Sequence, residues 1–145
     1  MEAVVVLLSI RPAYTSKILQ GSKKCEFRRE PPRRDFRSVF IYASAPVKKI
    51  VAFARVEVVV EEEIEILWGK YGPKGGIKKS VFESYFKGKQ RGAAIVFSEI
   101  QQLLPAIDPY ELVSNFVPPQ NYRYLSEEES RVLVQGAPTI DRWEL

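Results

Sequence analysis

The residues of this chain best suited to chemistry lie in one run, from Lys23 to Arg28. A strand over Lys23–Arg29 would place Lys24, Glu26 and Arg28 on one face, because strand side chains alternate between two faces. Flanking cations favour the ionised form of a carboxylate, so such a group suits the wall of a polar ligand pocket. The alternative is the solvated face of a half-exposed strand, where an ion pair contributes about 0–1 kcal/mol.

If the protein is an enzyme, Lys23 and Glu26 are the candidate catalytic residues. A partly desolvated lysine beside other cations is typical of a nucleophile or general base. The chain has no histidine, which excludes histidine triads and histidine metal sites. The acidic run Glu61–Glu65 is predicted to be a solvated helix face rather than a metal site. We therefore predict no metal and no cofactor.

Two further stretches combine aromatic and polar residues. In Ile41–Pro46, Tyr42 offers a stacking face, and Ser44 lies among small residues that allow close approach of a ligand. In Pro118–Tyr124, two tyrosines flank Arg123, a set used to bind single-stranded nucleic acid or a flipped base. Alternatively, the first stretch is an ordinary turn and the tyrosines anchor a terminal strand.

The net charge of +4 conceals a strong segregation along the chain. Residues 11–40 hold nine Lys/Arg against three Asp/Glu, and residues 70–91 hold seven against one, so each segment carries +6. The remaining residues hold six against fourteen, a net charge of −8. Such basic segments indicate a nucleic acid or another phosphate-bearing ligand, although they are also compatible with solvated lysines.

The pattern predicts one α+β domain built as a small β-barrel of five to six strands with peripheral short helices. The predicted strands are Val4–Ile10, Lys23–Arg29, Ser38–Ala43, Lys49–Val60 and one beginning at Ala93–Phe97, with a possible sixth within Pro118–Leu125. A first helix would run from Pro12 to Gln20, closed by Gly21. A Rossmann-type sheet is disfavoured because no G-x-G-x-x-G motif follows a strand.

Several local expectations concern the segments between these strands. We predict a helix from Glu61 to about Trp68, a mobile loop over Gly69–Lys79, and a helix over Ser80–Gly88 capped by Ser80. Pro105 is expected to interrupt the strand that begins near Arg91. Asp108 should cap a short helix with proline at its first position, and Ser126 should begin another helix.

The composition also bounds the setting of the protein. No run of about 18 apolar residues is present, so we predict no membrane span. The single cysteine argues against a disulfide framework and for a reducing cytoplasm. The oligomeric state cannot be read from the sequence.

Four motifs together resemble the ASCH domain family, particularly its archaeal members. They are Ser9-Ile10-Arg11-Pro12; Lys17-Ile18-Leu19-x-Gly21-x-Lys23-Lys24-x-Glu26-Phe27-Arg28-Arg29; Ile41-Tyr42-Ala43-Ser44-x-Pro46-Val47; and Pro118-Pro119-Gln120-x-Tyr122-Arg123-Tyr124-Leu125. The resemblance spans about residues 4–125.

The resemblance implies a PUA-like β-barrel whose cleft binds RNA or a nucleotide-like ligand, with a role in RNA metabolism or translation regulation. It places the ASCH domain at residues 1–125 and an added C-terminal helix and tail at residues 126–145. The ligand-binding residues that it implies are Ser9, Lys23, Lys24, Glu26, Arg28, Tyr42, Ser44, Tyr122 and Arg123.

The resemblance also implies an alternative, an enzyme that acts on RNA or a modified nucleoside. Bacterial acetylcytidine amidohydrolases of the family use a lysine, a threonine and a glutamate. Lys23 matches the lysine, but Glu26 stands where those enzymes have the threonine, and Lys74–Ile77 contains no acid to match the glutamate. A carboxylate cannot replace a hydroxyl nucleophile without changing the chemistry. A ribonuclease using Lys23 and Tyr42 without metal is the other form of this alternative.

Overall fold

The computed structural model describes residues 4–137. The strands are β1 (Val4–Ile10), β2 (Cys25–Arg28), β3 (Phe36–Ala43), β4 (Lys49–Glu63), β5 (Arg91–Ile107) and β6 (Tyr122–Leu125). The helices are α1 (Pro12–Gln20), α2 (Ile64–Tyr71), α3 (Lys79–Tyr85), α4 (Pro109–Leu112) and α5 (Glu127–Gln135), and a 3-10 turn spans Gly72–Lys74. No helix of the described residues is long and apolar enough to cross a membrane.

All six strands form one sheet in the order β2-β5-β4-β3-β1-β6. β1 and β3 are parallel, and the other neighbouring strands are antiparallel. The predicted α+β class is confirmed, but the sheet is not closed, because no pairing within residues 4–137 joins β2 to β6. The Arg28 side chain spans this gap and donates hydrogen bonds to the backbone carbonyls of Ser9 (3.1 Å) and Asn121 (3.3 Å).

The core surrounds this sheet in three clusters. Val5 and Leu7 point into one cluster, whereas Val6 and Leu8 point into another, so β1 is buried on both faces as its continuous apolar sequence predicts. A third cluster joins β2 to α2 and α3. This third cluster fixes the strand that carries Glu26 and Arg28. Its buried members are Cys25, Phe27, Leu67, Phe82, Phe86, Ala94 and Val96.

The predicted helix signals hold at α1, α4 and α5. Pro12 is the first residue of α1, and Gly21 ends it at a φ of +86°, a conformation that favours glycine. Asp108 caps α4 by accepting a hydrogen bond from the Tyr110 amide. Ser126 and Glu129 form a capping box at the start of α5.

α5 is tied to the sheet by charge and by packing. Glu129 pairs with Arg123 of β6 at 2.7 Å, and this hydrogen bond holds the pKa of the Glu129 carboxyl below its usual value. Leu133 lies in the same core cluster as Leu7. The predicted tail continues beyond Ala137, outside the described residues.

Three local predictions are wrong. Glu61–Glu63 end β4 rather than begin a helix, because their pairing with β5 continues to Glu63 opposite Arg91. Ser80 is the second residue of α3, and Lys78 precedes that helix without a side-chain cap. Pro105 does not interrupt β5. It follows a cis peptide in an irregular part of the ladder, where β5 has extra residues between Gln102 and Ile107 and a missing donor is tolerated.

The segment Gly69–Lys79, predicted to be a mobile loop, is largely regular secondary structure. Its beginning belongs to α2 and to the 3-10 turn, and Lys79 begins α3. Three hydrogen bonds dock the carbonyls of residues 74–76 onto α1 and the segment that leads into β2. The bonds run from Lys17 Nζ to Gly76 O (2.8 Å), from Lys23 Nζ to Gly75 O (2.5 Å) and from Lys24 N to Lys74 O (2.7 Å).

Candidate functional site

A cleft of about 1130 Å³ lies where the C-terminal ends of β1 and β3 face β2, α3 and residues 118–121. Because β1 and β3 are parallel, these two ends lie side by side. The cleft wall is polar and aromatic. Its lining side chains with polar or aromatic groups are Ser9, Arg11, Tyr14, Lys23, Glu26, Phe27, Arg28, Arg29, Tyr42, Ser44, Lys48, Ser80, Ser84, Tyr85, Tyr110, Gln120 and Asn121.

Glu26 is held between two buried cations. One carboxylate oxygen lies 3.2 Å from Lys23 Nζ, and the other lies 2.8 Å from an Arg28 guanidinium nitrogen. The Lys23 side chain is 1% exposed and that of Glu26 is 13% exposed, so Glu26 alone of this pair reaches the cleft appreciably. A carboxylate offers about four acceptor positions. Glu26 therefore has capacity left to accept a hydrogen bond from a ligand.

The Lys23 ammonium group is already occupied. Besides Glu26 it donates to the Gly75 carbonyl at 2.5 Å. The ring centroids of Tyr14 and Phe27 lie 5.4 Å and 5.7 Å from its nitrogen. These contacts fix Lys23 as a link between the cleft wall and the docked turn before α3.

Arg28 organises the opposite side of the carboxylate. Its guanidinium also contacts the side-chain oxygen of Asn121, in addition to the backbone carbonyls of Ser9 and Asn121. Its Nε–H is buried and has no hydrogen-bond partner among residues 4–137. Arg28 thus holds β2, β1 and the segment before β6 around one side chain.

A pair of tyrosine hydroxyls lies in another part of the cleft. The hydroxyls of Tyr42 and Tyr110 are 3.2 Å apart, and Tyr42 is buried whereas Tyr110 is 46% exposed. Burial, followed by the hydrogen bond to Tyr110, raises the pKa of the Tyr42 hydroxyl above its usual value. At neutral pH the Tyr42 hydroxyl is protonated and can donate a hydrogen bond.

No family model matches the chain. It is 32% identical over 138 residues to an ASCH domain-containing ribonuclease of Zymomonas mobilis, an alignment that covers 93% of each protein. The chain belongs to the ASCH domain family. The crystal structure of ASCH from Zymomonas mobilis superposes with a TM-score of 0.87 and 29% identity, over 94% of this chain and 97% of that one. The N-terminal domain of Staphylothermus marinus McrB, with a TM-score of 0.51 and 9% identity over 93% and 98% of the two chains, shares the fold alone.

The ASCH resemblance predicted nine binding residues, and the structure brings six of them to the cleft. These six are Ser9, Lys23, Glu26, Arg28, Tyr42 and Ser44. Their convergence follows from the parallel pairing of β1 and β3, in which Ser9 lies opposite Tyr42. The ASCH motif residues Lys23, Glu26 and Arg28 complete the wall, the last two from the edge strand β2.

The other three predicted residues lie elsewhere. Lys24 is exposed and lines a separate groove beside the end of α1, because β2 begins one residue later, at Cys25. Arg123 pairs with Glu129, and Tyr122 contacts the ring of Tyr124. None of the three lines the cleft.

Sequence reasoning missed several residues that line the ASCH cleft. Arg11 and Lys48 are exposed, and neither side chain has a hydrogen bond or ion pair with a described residue. Tyr14, Tyr85 and Tyr110 come from three different helices or their ends. The segregation of basic residues and the motif Ser9-Ile10-Arg11-Pro12 were the available signals for Arg11. No local pattern marks Lys48, whose φ of +55° lies in a turn.

The described residues contain no group of three or more histidine, cysteine, aspartate or glutamate side chains placed to hold a metal ion.

Proposed function

We propose that this ASCH protein binds single-stranded RNA and places one base in the cleft. The observation that supports this most strongly is the charge of the cleft wall, where five cations face the single acid Glu26. That acid is already paired twice, so the cations outside the pair are available to phosphate groups. The cations outside the ion pairs are Arg11, Arg29 and Lys48, and the two paired cations are Lys23 and Arg28.

The aromatic wall supports a nucleobase rather than a simple anion. Single-stranded RNA is recognised by stacking of bases on aromatic side chains and by hydrogen bonds to base edges. Tyr85 and Tyr110 are 39% and 46% exposed and offer such faces. In this proposal Glu26 accepts from an exocyclic amine, while Ser9 and Ser44 contact the polar edges of the nucleotide.

RNA binding should weaken steeply as salt concentration rises. For a single strand, the slope of log K against log salt is about −0.7 for each neutralised phosphate. We expect Arg11→Ala and Lys48→Ala each to reduce that slope by about 0.7. The measurement is a titration of a labelled single-stranded RNA with protein at several KCl concentrations.

The matched control is Arg131→Ala, which removes an exposed arginine of α5 that lines none of the cleft. Arg131→Ala should leave affinity and slope unchanged. Salt-independent binding by the unaltered protein, or no binding at low salt, would overturn the proposal.

Ribonuclease activity is a second candidate, favoured by the name of the Zymomonas relative. Attack of a ribose 2′-hydroxyl on phosphorus forms a cyclic phosphate and breaks the bond to the 5′-oxygen, so one proton leaves the 2′-oxygen and another reaches the 5′-oxygen. In this candidate Glu26, the carboxylate of the cleft, accepts the first proton, and the Tyr42 hydroxyl donates the second. The contacts of Lys23 support a positioning role better than a role as base, because its ammonium is already bonded to Gly75 and Glu26.

If the protein is a metal-independent ribonuclease, it will cleave RNA in the presence of EDTA, and Tyr42→Phe will slow cleavage at undiminished RNA affinity. Removal of one hydroxyl leaves the packing of the ring in place, so folding should persist. The assay is electrophoresis of a labelled single strand over time, with Tyr71→Phe, at a tyrosine that packs against the third core cluster and does not line the cleft, as the matched control for loss of a tyrosine hydroxyl. If the unaltered protein binds RNA without cleaving it, RNA binding is the function that remains.

Three broader statements belong to the same proposal. We propose that the protein works in a reducing cytoplasm, where its buried Cys25 remains a thiol, and that it is an archaeal-type member of its family. We further propose that residues 1–125 form the ASCH domain and that residues 126–145 are an addition to it.

A further inference from the structure

We propose that the segment Arg29–Arg37 carries the nucleotides that flank the bound base, so that the preferred ligand is an RNA strand of several nucleotides. This inference rests on the proposed function of the cleft. It goes further by assigning a second surface and by distinguishing an oligonucleotide from a mononucleotide.

Arg29 connects the two surfaces. It lines the rim of the cleft, and its guanidinium donates to the backbone carbonyls of Tyr85 at 2.8 Å and Lys87 at 3.0 Å. Its own amide donates to the Tyr85 hydroxyl at 3.2 Å. These partners are neutral, so they orient the guanidinium without cancelling its charge. Arg29 is therefore a fixed cation at the point where the RNA strand would leave the cleft.

The next cations along the segment differ in how they are paired. Arg33 is bound to the carboxylates of Glu30 (2.8 Å) and Glu61 (3.1 Å). Arg34 and Arg37 are exposed, and neither forms an ion pair with a described residue. The pairing of Arg33 leaves Arg34 and Arg37 as the cations free to meet phosphate.

Arg34 is held in a geometry that suits stacking. The backbone amides of Arg33 and Arg34 both donate to the Tyr124 hydroxyl, at 2.9 Å and 3.1 Å. The Arg34 guanidinium carbon lies 5.0 Å from the centroid of the Tyr124 ring, which itself packs edge-to-face against Tyr122. Bases of single-stranded RNA stack on guanidinium planes as well as on aromatic rings. An exposed guanidinium backed by a tyrosine is a platform for one flanking base.

The same segment borders a shallow cavity of about 430 Å³, to which Arg33, Arg34 and Arg37 contribute. Asp35, Glu57 and Glu61 also line this cavity. Its charge is therefore mixed, and the proposed path follows the exposed guanidinium groups of Arg34 and Arg37 rather than the cavity floor. Tyr122, which the ASCH resemblance implied as a binding residue, instead packs against Tyr124, and Tyr124 supports this second surface.

The test compares ligands of increasing length and variants of the second surface. The ligands are a ribonucleoside monophosphate and single-stranded RNAs of about two, four and eight nucleotides, and the proteins are the unaltered chain, Arg34→Ala, Arg37→Ala and the double variant. We expect affinity to rise with length for the unaltered chain, and the double variant to lose most of that gain. Its salt slope with the longest RNA should be smaller by about 1.4, because two phosphate contacts of about 0.7 each are lost.

Two further measurements make the result specific. Arg34→Lys keeps the charge but removes the stacking plane, so it should restore the salt slope while affinity for the longer RNAs stays reduced. Monophosphate binding should be equal in all variants, and Arg131→Ala should behave as the unaltered chain. Unchanged length dependence and slope in the double variant would overturn this inference. If Arg11→Ala still weakens binding in that case, the proposed function of the cleft stands, whereas failure of the unaltered chain to bind any RNA overturns both.

Discussion

Glu26→Ala is expected to lower the free energy of unfolding by about 3–5 kcal/mol, because removing one partner of a buried ion pair leaves an uncompensated charge. Here two cations would lose their partner. The Lys23 and Arg28 side chains are 1% and 6% exposed, so both charges would stay buried, and water entering from the cleft would replace the carboxylate only in part. The change should be measured by equilibrium denaturation with urea.

Glu61→Ala is the matched control for this effect. Glu61 also accepts from an arginine at 3.1 Å, but the side chains of Arg33 and Glu61 are 62% and 46% exposed. Exposed ion pairs contribute about 0–1 kcal/mol, so this control should change stability little. Equal losses of stability in the two variants would show that the buried ion pairs of Glu26 stabilise the fold no more than an exposed pair. The proposal of a rigid carboxylate in the cleft would then lose its energetic basis.

The sequence could predict which side chains of the Lys23–Arg28 run share a face, because that depends on the alternation of side chains along a strand. Glu26 and Arg28 do share a face, and Cys25 and Phe27 pack into the third core cluster, although Phe27 also lines the cleft. The choice between Lys23 and Lys24 could not be made, since it depends on where the strand begins. The chain enters β2 at Cys25, and Lys23 reaches Glu26 from outside the strand.

The parallel pairing of β1 with β3 was equally beyond the sequence. It places Ser9 and Tyr42 side by side although 33 residues separate them. Family resemblance supplied both residues as members of motifs, but it could not show that Arg123 would be drawn to Glu129 and away from the cleft. Long-range contacts of this kind depend on how helices and strand edges meet, which local patterns do not encode.

The glycine-rich segment shows the limit of reading composition alone. Four glycines and a proline within Gly69–Lys79 predict a mobile loop. Several of these glycines instead allow close packing. Gly72 approaches the ring of Trp68, and Gly76, at a φ of +64°, packs against the Lys23 side chain. A glycine needed for a flexible loop and one needed for close approach look identical in a sequence.

Gly75→Ala should test this packing and is expected to destabilise the fold by about 1–3 kcal/mol, the usual cost of overpacking a core. An added Cβ would overlap the ring of Phe27, which is buried in edge-to-face contact with Phe82 at a centroid distance of 4.9 Å. The turn would have to move away, and the hydrogen bond from Lys23 to the Gly75 carbonyl would lengthen or break. Thermal and urea denaturation would measure the loss.

Gly69→Ala is the control that separates packing from glycine chemistry in general. Gly69 lies inside α2, and a Cβ there would meet no atom within 4 Å. Alanine is favoured over glycine in a helix interior by about 0.8–1.0 kcal/mol, so this variant should be more stable than the unaltered chain. Opposite signs for the two substitutions would support a turn that holds Lys23 and, through it, Glu26. If Gly75→Ala were neutral, the turn would tolerate displacement, and Lys23 would need another partner to remain buried.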